Sequence, residues 1–281
     1  MEALTPAEQL VLLDPGRPDA REAVKATLLS LVAKGVFRIE DVRKAGLTAR
    51  SEPAVLIVGG AGASAPVETA VFRLVSDLEM RHGAPLGTIA SAARKAWGGN
   101  LGRFLTDYVY PGLVRRRLLT EETRKFLFVF NRKTWAPTPA GEMEQQRIQS
   151  LIARARTIPG ILHSNPEMAA SIALAAGATL LLVPQLAGYY GQLAALKPRA
   201  ASDGSSSGSS DYSSSTGDGA SSDFDIGKFD ASGLSNLDSS AFSSFESSFN
   251  SSFSSGGDSG SDSGGGGDSG GGGGDGGGGG D

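Results

Sequence analysis

The chain has 281 residues, no cysteine and a formal net charge of −4, which excludes disulfides, thiolate metal sites and cysteine nucleophiles. The net figure conceals a partition: residues 1–199 hold 25 Lys/Arg against 17 Asp/Glu, while residues 200–281 hold one against 13. A basic body of this kind can meet polyanions that the average charge would repel, or be screened by its own acidic tail.

Thr5-Pro6-Ala7-Glu8 has the form of a capping box, with proline at the first helical position and glutamate three residues after the cap, so a short helix is expected through Leu13. Asp14-Pro15-Gly16-Arg17-Pro18 reads as a turn. From Asp19, the residues Val24, Leu28, Leu31 and Val32 share one helical face that ends at Gly35. Val36 to Glu40 alternates with period two, and Ala54 to Val58 is a second short apolar run, so a small hairpin should follow.

The same order of patterns recurs in the next eighty or so residues. Pro66 to His82 carries Ala70, Val71, Leu74, Val75 and Leu78 on one face, Gly83-Ala84-Pro85 breaks it, and Leu86 to Trp97 reads as a second helix. Leu101, Phe104, Leu105, Tyr108 and Val109 form a third apolar face. Phe126 to Phe130 is then expected as a strand, Asn131-Arg132-Lys133 as the turn of a wing into Thr134-Trp135, and Thr138 to about Arg156 as a helix.

Met168 to Leu196 contains no charged residue. Over Met168 to Ala187 the mean hydropathy is roughly 1.8, enough to nominate a membrane-spanning helix. Its richness in alanine, with Pro184 and Gln185 near one end, leaves a buried helix of the body as the alternative. Beyond residue 200 serine, glycine and aspartate dominate, and such a composition is expected to stay disordered. Phe242, Phe245, Phe249 and Phe253 interrupt it at intervals of three or four, which is compatible with a transient amphipathic helix, with adhesive sites or with solvated filler.

The fold class expected is therefore mainly α with small β-hairpins (α+β). It has two winged-helix-like units at 1–64 and 65–160, an apolar segment at 166–196 and a disordered tail at 200–281.

Chemical motifs are scarce. Gly59-Gly60-Ala61-Gly62 follows an apolar strand but lacks the third glycine of a dinucleotide loop, so it reads as a connector. Asp268, Asp275 and Asp281 have the wrong spacing for calcium-binding nonapeptide repeats. His82 and His163 stand far apart, and no serine sits in G-x-S-x-G. No catalytic, cofactor or metal site is expected, and the chain is read as a non-enzyme. The candidate polyanion-binding residues are Arg115, Arg116 and Arg117 at a helix end, Arg132 and Lys133 at the wing tip, and a basic-aromatic cluster of Arg94 and Trp97 beside Lys95. Cations at a helix C-terminus also complement its dipole without any ligand.

Taken together, Thr5-Pro6-Ala7-Glu8 through Arg38-Ile39, the helical second unit, Thr138-Pro139-Ala140-Gly141, the apolar run and the Gly-rich ending resemble a group of uncharacterised bacterial membrane proteins with a winged-helix-like soluble region. That resemblance implies no activity. Leu4 to Leu10 and Pro166 to Leu182 are similar, more weakly, to the Golgi-phosphoprotein-like family, which implies phosphoinositide headgroup binding. The function expected is a non-catalytic, single-pass membrane-anchored protein, its body cytoplasmic and used for contact with a protein partner. The alternative is a soluble cytoplasmic basic module that binds nucleic acid or anionic phosphoinositide lipid.

Overall fold

The structure, a computed structural model, describes residues 3–43, 51–60, 62–78, 83–126, 130–196, 234, 237 and 239–254. Helix α1 (Pro6–Leu13) begins as its sequence dictates: the Thr5 hydroxyl accepts from the Glu8 amide at 3.3 Å, and the Glu8 carboxylate accepts from the Thr5 amide at 2.9 Å. Asp19 caps α2 (Ala20–Ala33) by accepting from the amides of Arg21 and Glu22, and Gly35, at φ 68°, ends it. Strands β1 (Phe37–Arg43) and β2 (Ser51–Ile57) pair antiparallel with Phe37 opposite Ile57.

Helix α3 (Pro66–Ser76) places Val67, Val71 and Val75 in the core. Beside them, fully buried Glu68 receives hydrogen bonds from the Lys34 ammonium at 2.7 Å and the Ser30 hydroxyl at 3.0 Å, which tie α3 to α2. Two residues, β3 (Ala84–Pro85), add to the free side of β2 before α4 (Leu86–Trp97). The third apolar face becomes a helical run of α5 (Gly102–Phe104), a π-helical turn (Leu105–Val109) and α6 (Tyr110–Arg115). Trp97, Phe104 and Tyr108 cluster there, with the Trp97 and Phe104 centroids 4.7 Å apart.

Strands β4 (Leu119–Phe126) and β5 (Phe130–Pro137) form a separate hairpin with Phe126 opposite Phe130. This corrects the expected wing: Arg132 and Lys133, expected in the turn, lie within β5, and residues 127–129 between the strands lie outside the described residues. The strand starts earlier than its aromatic run because Leu119 to Lys125, polar in the main, pairs across the hairpin with residues 131–137. Backbone pairing carries that stretch where hydrophobic pattern does not.

Helix α7 (Pro139–Ala155) and the turn α8 (Ile158–Ile161) lead into the apolar segment. The expected continuous spanning helix is absent. Helix α9 (Pro166–Ala176) stops at Gly177, whose φ of 52° breaks the run, and two 3-10 turns (Gly177–Leu182 and Pro184–Tyr189) and α10 (Tyr190–Ala195) follow. Ala169, Ala173, Leu180, Val183, Leu186 and Tyr190 are buried in the same core as α1 and α2. Thr179 donates to the Gln9 side chain at 2.9 Å, and the Tyr190 hydroxyl donates to the Leu180 carbonyl at 3.2 Å. Among the described residues no helix is long and apolar enough to cross a membrane.

Within the stretch expected to be disordered, residues 239–254 form a further helix, α11 (Ser239–Ser254), so the expectation of disorder is corrected there. Its serine-rich sequence has little intrinsic helix preference. Tertiary packing of one apolar face outweighs that preference, as it does for most protein helices.

Candidate functional site: a groove that holds the tail helix

The apolar stripe of α11 consists of Phe242, Phe245, Phe249 and Phe253, which fall on one side of a 3.6-residue period. All four are buried, Phe245 and Phe249 to 0 % exposure. The groove that receives them is made by α4, the β1–β2 pair and the 3-10 turn Pro184–Tyr189. Along the stripe the rings stack, with centroids 5.7 Å apart for Phe245 and Phe249 and 4.1 Å apart for Phe249 and Phe253. Leu234 and Leu237 just before the helix are buried as well.

Polar contacts fix the helix at its middle and its C-terminal end. At its middle, Glu246 lies 3.4 Å from the Lys25 ammonium, which also pairs with Glu22 at 2.7 Å. The Phe242 ring meets Tyr190 edge to face at 5.7 Å. Burial, and secondarily the charge of Glu246, raise the Tyr190 hydroxyl pKa well above its ordinary value. At the C-terminal end the Arg94 guanidinium donates to the Ser252 carbonyl and sits 5.7 Å from the centre of the Phe253 ring. A small apolar pocket of about 140 Å³ remains beside Phe242, walled by Leu10, Leu29, Leu181 and Pro184. The arrangement is that of an amphipathic helix laid into a hydrophobic groove, with anchors at i, i+3, i+7 and i+11.

The residues singled out as polyanion ligands do not converge on this site or on one another as a set. Trp97 is a core side chain, 5 % exposed. Arg94 is engaged by the tail helix. Arg115 and Arg117 are exposed at the end of α6, and Arg116 lies 3.9 Å from the buried Glu8 carboxylate. Lys133 pairs with Glu121 across the hairpin at 2.7 Å, and the side chain of Arg132 lies outside the described residues. His163 is exposed, and His82 also lies outside the described residues. Among the described residues no group of three His, Cys, Asp or Glu side chains is placed to hold a metal.

Sequence reasoning found the phenylalanine spacing but missed the receptor. Lys25, Arg94 and Tyr190 belong to three separate elements, and nothing in their local patterns marks a shared surface. The sequence signal that could have found it is Glu246, a lone acid on the polar side of an otherwise uncharged aromatic repeat, opposite a basic body. No protein-family model matches the chain, and no characterised protein matches it in sequence.

Proposed function

We propose that the protein is a non-catalytic interaction module whose body binds an amphipathic, aromatic helix in the groove formed by α4, β1–β2 and residues 184–189, with α11 as its built-in ligand. The observation that carries this reading is the burial of all four phenylalanines of α11 by the body. Each buried ring is worth about 1.5–3 kcal/mol in area removed from water, which is enough to hold a short helix that would not form alone. A ligand helix on the same chain competes with any partner helix for the groove, so the body presents its docking face only when α11 is displaced. The order α3, α4, α6 and the β4–β5 hairpin supports a winged-helix-like second unit as the scaffold. Ala169, Ala173, Leu180, Val183 and Leu186 are buried in the core, so we assign the protein contact to the groove rather than to a span.

The test uses the full chain carrying Phe245→Ser and Phe249→Ser, which empties the groove, together with a fluorescent peptide of residues 239–254. We expect the peptide to bind this variant at least about tenfold more tightly than the unaltered chain, a difference of about 1.4 kcal/mol. A peptide with the same two substitutions should not bind. Equal binding to both chains, or none to either, overturns the reading.

A further inference from the structure

The turn before α2, the loop before α5 and strand β5 border an open cleft of about 780 Å³ that the tail helix does not touch. Its size is that of a small-molecule site. Arg17 and Arg21 line it from the turn and the start of α2, and β5 contributes both Lys133 and the half-buried Trp135, whose indole stacks on Tyr110 at 4.4 Å and 13° between planes.

Local chemistry favours an anion here. Among the described residues, no carboxylate forms an ion pair with Arg17 or Arg21. Asp19, the acid on the cleft wall, turns one oxygen to two amides of the first turn of α2, and Asp14 accepts from the Arg17 amide, so the two acids face the backbone while three cations line the cleft. Lys133 is paired with Glu121, but that pair is solvent-exposed and therefore weak enough to yield to a multivalent anion. Two prolines, Pro15 and Pro18, stiffen the turn that carries Arg17, and the Tyr110 hydroxyl donates to the Pro15 carbonyl at 3.3 Å. The turn is thereby fixed to the aromatic wall, so the cations and the rings keep their spacing before any ligand arrives.

We infer that this cleft binds a small anionic ligand with a planar ring and a phosphate group, of the size of a nucleoside diphosphate. The ring lies against Trp135, and the phosphates lie against Arg17, Arg21 and Lys133. Arginine suits this role because its planar fork engages phosphate oxygens two at a time. A site for phosphate alone would need no aromatic wall, and a site for a neutral ring would not gather three cations.

The experiment titrates the full chain with ADP, adenosine and inorganic phosphate by isothermal titration calorimetry, a readout that Trp135 substitutions leave intact. We expect saturable ADP binding at submillimolar concentration, with adenosine and phosphate each weaker by about tenfold or more. Replacing both cations (Arg17→Ala with Arg21→Ala) should weaken ADP by at least about tenfold. These side chains are on the surface, and an unchanged melting temperature checks that the fold persists. Trp135→Phe, which keeps a ring on Tyr110, should retain binding, whereas Trp135→Leu should lose most of it. Absence of ADP binding up to about 1 mM, or binding unaltered by the arginine pair, overturns the inference. So does a short single-stranded oligonucleotide that binds this cleft while ADP fails to displace it, since that outcome assigns the cations to a nucleic-acid strand. The Phe245→Ser, Phe249→Ser chain should bind ADP as the unaltered chain does, so failure here is separable from failure of the tail-helix groove.

Discussion

Arg117 sits in the left-handed region at φ 59°, where its amide donates to the Val114 carbonyl and the next amide, of Leu118, donates to Leu113. Glycine usually takes this position after a helix, because a side chain there costs about 1 kcal/mol. The cost is borne at a crowded junction: Thr138 donates from its hydroxyl to the Arg117 carbonyl and from its amide to the Leu118 carbonyl. The Thr138 hydroxyl also accepts from the Gly141 amide, so α6, β4 and α7 are joined within a few residues. Gly141 must be glycine for a different reason. A Cβ there would stand 2.0 Å from the Leu118 carbonyl oxygen, and neither backbone can retreat without breaking the cap. We expect Gly141→Ala to cost about 2–3 kcal/mol, seen as a fall in melting temperature of roughly 5–10 °C. A melting temperature within a degree or two of the unaltered chain would show that the junction gives way freely.

Elements differ in how far their own residues announce them. Helices α1 and α4 are legible from end to end, because each has a local start or stop signal: the Thr5 capping box for one, and Pro85 and Gly98 flanking the other. The hairpin β4–β5 is half legible, since its outer residues are polar and held by cross-strand backbone pairing that leaves no hydrophobic mark. Helix α11 is legible only as a spacing, because what makes it a helix is the groove built by elements about 50 to 200 residues earlier. Its docking gives a pH dependence with a definite sign. The Tyr190 hydroxyl, beside Phe242 and near Glu246, has its pKa raised in the folded chain, so the folded state keeps a proton that the unfolded state releases. Stability from this group is fully present below about pH 10 and is lost as pH rises beyond it. Tyr110, also raised by burial, contributes in the same direction. We expect alkaline unfolding to be shallower in Tyr190→Phe than in the unaltered chain, measured by denaturant midpoints between pH 8 and 11. Parallel curves for the two chains would remove Tyr190 from the account.

At the scale of the whole molecule, the decisive matter is what residues 166–195 are for. An uncharged run of this length meets the hydropathy of a span, and hydropathy alone cannot distinguish lipid from a protein core that is equally dry. In this structure small residues let the stretch pack on the body. Ala169, Ala173 and Ala176 let α9 approach the body closely, Gly177 and Pro184 turn the chain twice, the 177–182 turn with Leu180 packs against α1, α2 and α7, and Val183, Leu186 and Tyr190 are buried in the same core. Thr179 closes the contact through Gln9. The tail helix then packs on the 184–189 turn as well as on α4 and the β1–β2 pair, so the segment supplies one side of the groove that holds it. Ending the chain at residue 165 removes Leu180, Val183, Leu186 and Tyr190 together with the buried leucines and phenylalanines of the tail, and each large core side chain is worth about 2–5 kcal/mol in a protein whose whole stability is on the order of 5–15 kcal/mol. We expect that shortened chain to lose its cooperative thermal transition by near-ultraviolet circular dichroism. A spanning segment would predict the reverse, a body that melts as before, because residues solvated by lipid hold up none of it.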